Sequence, residues 1–161
     1  MKTQAARYLA LFVFLLAAFP AAAEEFISSY HSVVDVAKSG RLTVTETITA
    51  RAEGNRIKRG IFRDFPLYAL DANGNRTKVG FDVLSVERDG SKEDWRTESI
   101  DGGIRIYTGN ADRFLSTGDH IFQITYTTDR QIRYFDAYDE LTWNVTGNGW
   151  QFPMREISAT V

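Results

Sequence analysis

The ten residues from Arg41 to Ala50, RLTVTETITA, alternate so regularly that they fit an extended strand with one face buried and one face wet. Leu42, Val44, Ile48 and Ala50 fall on one side, and Thr43, Thr45, Thr47 and Thr49 fall on the other. Much of the chain shares this texture: short runs rich in Val, Ile, Thr, Tyr and Phe, separated by turn chemistry. The punctuation is Ser39-Gly40, Glu53-Gly54-Asn55, Asn73-Gly74-Asn75, Asp89-Gly90, Asp101-Gly102-Gly103, Thr117-Gly118-Asp119 and Gly147-Asn148-Gly149. No helical period is present. The pattern predicts about eight strands, near residues 26–38, 41–52, 77–88, 93–98, 103–108, 119–133, 139–146 and 154–161. Such a series describes an all-β chain, an antiparallel β-sandwich or alternatively an open β-barrel, with residues 54–76 as its one long irregular stretch.

Glu46 is the anomaly in that strand, because period two places its carboxylate on the apolar face. A lone buried carboxylate costs several kcal/mol, about 2 to 7 for polar groups and more for charged ones, so the sequence should supply a cation. The basic stretch RIKRGIFRDFP follows directly, and Arg63 is the first choice for the partner, with Arg59 the second. The competing reading is a bulge that turns Glu46 outward.

Residues 1–23 have the form of a secretory signal. Lys2 and Arg7 precede an apolar run from Leu9 to Phe19, and Pro20 leads into Ala21-Ala22-Ala23. The run is shorter than the roughly 20 residues of a spanning helix, which favours cleavage over an uncleaved anchor. Cutting after Ala23 would leave residues 24–161 as one exported domain, with 17 of the 19 basic residues against 21 acidic ones. That balance predicts no nucleic acid partner and no global attraction to an anionic membrane.

Cysteine is absent, which removes disulfides, thiolate catalysis and cysteine-ligated metal. His31 and His120 lie far apart and are read as ordinary structural or surface residues, so no metal and no cofactor is expected.

Two aromatic stretches stand out. In GIFRDFP, Gly60 to Pro66, the phenylalanines read as plugs in a loop that caps one end of the sandwich, with a recognition loop as the alternative. In ELTWNVTGNGWQFP, Glu140 to Pro153, Leu141, Trp143 and Val145 alternate inward, residues 146–149 reverse the chain and Trp150 begins the return. An outward Trp150 beside Asn148 and Gln151 would instead offer a ring for stacking. The Asn144-Val145-Thr146 sequon sits inside this predicted strand and is not read as a modification site.

The order of TVTETI (43–48), RGIFRDFP (59–66) and ELTWNVTGNGWQFP (140–153) resembles the N-terminal region of the predicted bacterial membrane proteins catalogued as domain-of-unknown-function family 2207. The likeness runs from about Ile27 to Val161. It implies a signal peptide, an exported β-rich domain on the periplasmic or extracytoplasmic face, and membrane-spanning helices beyond it. The chain ends at Val161 within the edge-like MREISATV, and truncation before membrane-spanning segments is the expectation, with a shortened periplasmic member as the alternative.

The acids Asp136, Asp139 and Glu140 are the nearest thing to a catalytic cluster, and could suit carbohydrate chemistry or calcium. Their spacing fits no calcium loop, and no nucleophile elbow, phosphate-binding glycine loop or zinc helix accompanies them. The expectation is a noncatalytic binding, sensing or assembly ectodomain of a membrane-associated bacterial protein. A carbohydrate-active or calcium-dependent domain around Asp139 is the alternative. The expected partner is a protein or a cell-envelope glycan, met through an interaction surface drawn from Asp64, Asp136, Asp139, Glu140, Asn148 and Trp150. Membrane association would come from downstream segments or an uncleaved signal.

Overall fold

The computed structural model describes residues 24–161, so the N-terminal apolar segment and the cut after Ala23 lie outside the described residues. Thirteen strands follow in order: β1 (Phe26–Val36), β2 (Leu42–Ala52), β3 (Phe62–Pro66), β4 (Tyr68–Leu70), β5 (Arg76–Lys78), β6 (Phe81–Arg88), β7 (Ser91–Lys92), β8 (Trp95–Ile100), β9 (Gly103–Thr108), β10 (Gly118–Thr128), β11 (Ile132–Tyr134), β12 (Asp139–Leu141) and β13 (Met154–Thr160). No helix occurs among the described residues, and none is therefore long and apolar enough to cross a membrane.

A six-stranded sheet of order β13-β1-β2-β10-β6-β7 forms the larger layer, and a three-stranded sheet of order β3-β9-β8 faces its inner side. The sheets do not close into a barrel, and the fold is sandwich-like with unequal layers. The core is built from Tyr30, Val34, Leu42, Val44, Ile48, Phe122, Ile124 and Tyr126 on the larger sheet, and from Ile57, Ile61, Phe65 and Ile106 on the other side. Each fully buried aliphatic or aromatic side chain contributes about 1.5 to 3 kcal/mol, which suits a domain without disulfides. Phe65 joins the layers, with its ring 4.5 Å from Phe81 and 5.3 Å from Tyr126.

The pairings are antiparallel except one: β13 runs parallel to β1, with Tyr30 opposite Ile157 and His31 opposite Ser158. Alternation does not encode strand direction, so this departure from an antiparallel sandwich was not readable locally.

Strand number exceeds eight in part because two predicted strands divide. Residues 77–88 break at Val79-Gly80, where Gly80 N–H leaves the ladder and donates to Asp129 Oδ1 at 2.6 Å. Residues 119–133 break after Thr128, where Arg130 takes a positive φ of 56°.

Two larger corrections concern the aromatic stretches. Residues 54–76 are not one irregular segment, since they hold β3, β4 and the first residue of β5, and Phe62–Pro66 of GIFRDFP form an edge strand paired with β9 instead of a capping loop. Its burial alternates Ile61, Arg63, Phe65 inward and Phe62, Asp64 less so; the arginine in an inward slot disguises the period. Conversely, the strand predicted over 139–146 ends at Leu141 and pairs with β11, so residues 142–153 do not form the expected hairpin. They pack as a loop against Tyr30, Arg63 and Phe65, held by Asn144 Oδ1 accepting from Gly147 N at 3.1 Å and by Trp150 Nε1 donating to Thr146 O at 2.8 Å.

Candidate functional site

Strand β2 carries Glu46 inward, between Ser32 on β1 and Ile124 on β10. The facing strand β3 delivers Arg63 to it. Arg63 Nε donates to Glu46 Oε2 and Arg63 Nη2 to Oε1, each at 2.9 Å, the two-pronged geometry that suits a guanidinium and a carboxylate. Glu46 is fully buried and Arg63 nearly so. Arg59 does not take part; its guanidinium lies 4.1 Å from the centre of the Phe114 ring.

Two tyrosines complete the shell. Tyr126 donates its hydroxyl to Glu46 Oε1 at 2.7 Å, and Tyr30 accepts from Arg63 Nε at 3.3 Å. Burial, followed by the neighbouring charge of Glu46, pushes both phenols well above their ordinary range, so both stay protonated. Burial is the largest single influence on Arg63 and would lower its pKa, but the charge and hydrogen bond of Glu46, together with Tyr30 and Tyr126, outweigh it and raise that pKa. Carboxylate, guanidinium and both phenols are thus tied to one another by hydrogen bonds inside the core. Neither tyrosine was named from sequence, where the only available signal was that Tyr126 lies on an alternating strand of its own.

Gly147 closes the pair from the loop. It has a φ of 68°, and a Cβ placed on it would stand 2.2 Å from Arg63 Nη1, so the backbone sits where a side chain would be. Trp143 and Trp150 flank this contact: Trp143 lies 6.1 Å from the Phe65 ring, and Trp150 meets Tyr30 edge-on at 6.1 Å. All three sequence motifs thus converge on one place.

Beside the locked pair, β3 and the 142–153 loop enclose a cleft of about 230 Å³. Its lining includes Arg56, Phe62, Asp64, Asn148, Trp150 and Phe152. Asp64 is held by Arg105, whose Nε and Nη2 reach its two oxygens at 2.6 and 2.7 Å. Trp150 is half-buried, with its indole N–H already bonded to the loop, so its ring and not its nitrogen is the feature offered to the cleft.

The remaining acids lie elsewhere. Asp136 and Asp139 are exposed around the β11–β12 turn, and Glu140 is bonded to Arg133 and accepts from Thr142 Oγ1 at 2.9 Å. None of the three lines the Trp150 cleft. Among the described residues, no group of three or more His, Asp or Glu side chains is placed to share a metal ion. His31 bonds Ser158 and His120 bonds Asp89, each at 2.8 Å.

One carboxylate missed in the sequence organises the approach to the cleft. Glu25 accepts from the backbone N–H groups of Glu53, Asn55, Arg56 and Ile57 at 2.8 to 3.1 Å. Burial opposes its charge, but these four bonds outweigh it and hold its pKa below the ordinary value.

These features define a disulfide-free β-sandwich domain with a buried polar pair beneath the loop that walls a cleft. The family model described as "Predicted membrane protein (DUF2207) N-terminal domain" matches residues 26–161, and the chain belongs to that family. It is 33% identical over 129 residues to the uncharacterized protein YciQ of Escherichia coli K12, a match covering 80% of this chain and 20% of YciQ. The chain thus spans about one fifth of the length of that curated relative. Among solved structures, leukotriene A4 hydrolase from Saccharomyces cerevisiae is similar at 17% identity and a TM-score of 0.46, over 65% of this chain and 15% of the hydrolase. An M1 zinc metallopeptidase from Deinococcus radiodurans is similar at 15% identity and a TM-score of 0.43, over 68% of this chain and 21% of the peptidase.

Proposed function

We propose that this domain is a noncatalytic, exported binding module, the ectodomain of a membrane-associated protein, and that it binds at the Trp150 cleft. The observation that carries this reading is the arrangement of Asp64, Asn148 and Trp150 around one opening braced by the Glu46–Arg63 pair. Pre-formed clefts with aromatic walls and a few fixed polar groups are the usual form of a small-ligand site. An aromatic face with adjacent amide and carboxylate groups suits a sugar ring, which presents C–H bonds to the ring and hydroxyls to the polar groups. A cell-envelope glycan is therefore the ligand class.

The test is a titration of the purified chain with soluble cell-wall glycan fragments, following tryptophan fluorescence and, in parallel, the release of cleavage products. Saturable, reversible fluorescence change that disappears in Trp150→Phe, without products, supports the reading. Product release that is lost in Asp139→Asn overturns it, as does a fluorescence signal indifferent to every fragment.

A further inference from the structure

Adjoining the Trp150 cleft, and sharing Arg56, Gly60, Ile61 and Phe62 with it, is a second depression of about 320 Å³, lined by Arg56, Lys58, Arg59 and Arg96 and by no carboxylate. Among the described residues, Arg56, Lys58 and Arg59 have no acidic partner within 4 Å, and Arg96 is bonded only to Glu98 on its own strand, at 3.2 Å. Three unpaired cations side by side are unexpected in a chain whose formal net charge is −2.

The cations are held ready. Ile57 and Ile61 are buried and pin the segment at both ends, Glu25 fixes the backbone of Arg56 and Ile57, and Leu115 N–H donates to Lys58 O at 2.8 Å. Each arginine lies over a ring: Arg56 at 4.9 Å from Phe152, Arg59 at 4.1 Å from Phe114 and Arg96 at 3.8 Å from Tyr107. A guanidinium resting on an aromatic face keeps its N–H edge free for an oxyanion, the geometry of bidentate phosphate recognition. Phe114 is 68% exposed beside Arg59. An uncovered ring next to cations is the composition of surfaces that settle at the lipid headgroup boundary.

We propose that Arg56, Lys58, Arg59 and Arg96 form a phosphate-binding cleft that takes anionic phospholipid headgroups, with Phe114 entering the interface alongside them. Membership in a family described as membrane proteins supports a lipid as the source of the phosphate. Arg56 lines both clefts, whereas Lys58, Arg59 and Arg96 do not line the Trp150 cleft, so substitutions at Lys58 and Arg59 test this site apart from the glycan reading.

The experiment is sedimentation of the purified chain with vesicles of phosphatidylcholine alone and of phosphatidylcholine with phosphatidylglycerol, with glycerol phosphate as a soluble competitor. The wild type is expected on the anionic vesicles only, with binding that weakens as salt is raised. Each basic residue at such a surface contributes about 1 kcal/mol, roughly fivefold, so Lys58→Gln with Arg59→Gln should weaken binding by about 25-fold. Arg76→Gln with Lys78→Gln, the same charge change on β5, should leave binding near wild type, and thermal unfolding of both variants shows that they fold. Equal losses in the two variants would overturn the proposal. So would absence of vesicle binding, or capture of glycerol phosphate in solution without vesicle binding.

Discussion

Gly147 lies against the guanidinium of Arg63 so closely that a Cβ added to the glycine would come within 2.2 Å of Nη1. The loop that carries Trp150 is therefore seated directly on the buried ion pair, and the pair links core packing to the shape of the cleft.

Gly147→Ala should expose that dependence. The positive φ alone costs an alanine about 1 to 2 kcal/mol, and the collision with Arg63 adds to it. Gly74→Ala, with a φ of 80° and open space around it, reports the backbone cost by itself. Denaturant unfolding should show Gly147→Ala the more destabilised of the two; equal losses would mean that the loop moves aside freely.

Removing one half of the core pair strands the other charge in the interior. Glu46→Ala or Arg63→Ala is expected to cost about 3 to 5 kcal/mol by denaturant unfolding, against under about 1 for a solvent-exposed pair. Glu46→Leu combined with Arg63→Met should cost less than the two single changes added together, because neither charge is then orphaned.

Ser32 sits opposite Glu46 on β1, is fully buried, and its Oγ has no hydrogen-bond partner among the described residues. Ser32→Ala removes a desolvated hydroxyl that makes no bond, and should leave stability unchanged or raise it by up to about 1 kcal/mol. A clear loss on thermal unfolding would show that the hydroxyl is bonded in solution.

Acid should loosen the turn held by Glu25. Its folded-state pKa is depressed, so the stability it contributes is present above the ordinary carboxylate value of 4.5 and is lost as pH falls through the folded value. Glu25→Gln should lower stability at neutral pH by about 1.5 to 3 kcal/mol, as expected for bonds to a charged group. It should also flatten the stability profile below pH 4.5 relative to wild type. Parallel profiles would remove Glu25 from the acid response.

The readable part of the site was the part with a local signature. Glu46 betrayed itself by falling on the apolar face of an otherwise regular strand, and Arg63 was near enough in the chain to be named as its partner. The strand that carries Arg63 was hidden for the same reason, because a cation in an inward position masks the alternation that marks a strand. The glycines of TGNG read as a reversal, whereas Gly147 serves as a seat for a side chain from another strand. Overall charge gave no global attraction to an anionic membrane; it is summed over the chain and is silent on where cations gather, as at residues 56–59.

Alternation and turn chemistry act between residues one to four apart, and they alone were enough to indicate an all-β domain, the inward face of β2 and the need for a buried counter-ion. Bringing Tyr126 to a glutamate 80 residues away, running β13 parallel to β1 and setting a glycine on a guanidinium depend on which distant surfaces pack together. Those choices are made by the complementary shapes and charges of the assembled layers, which no short window of the chain contains.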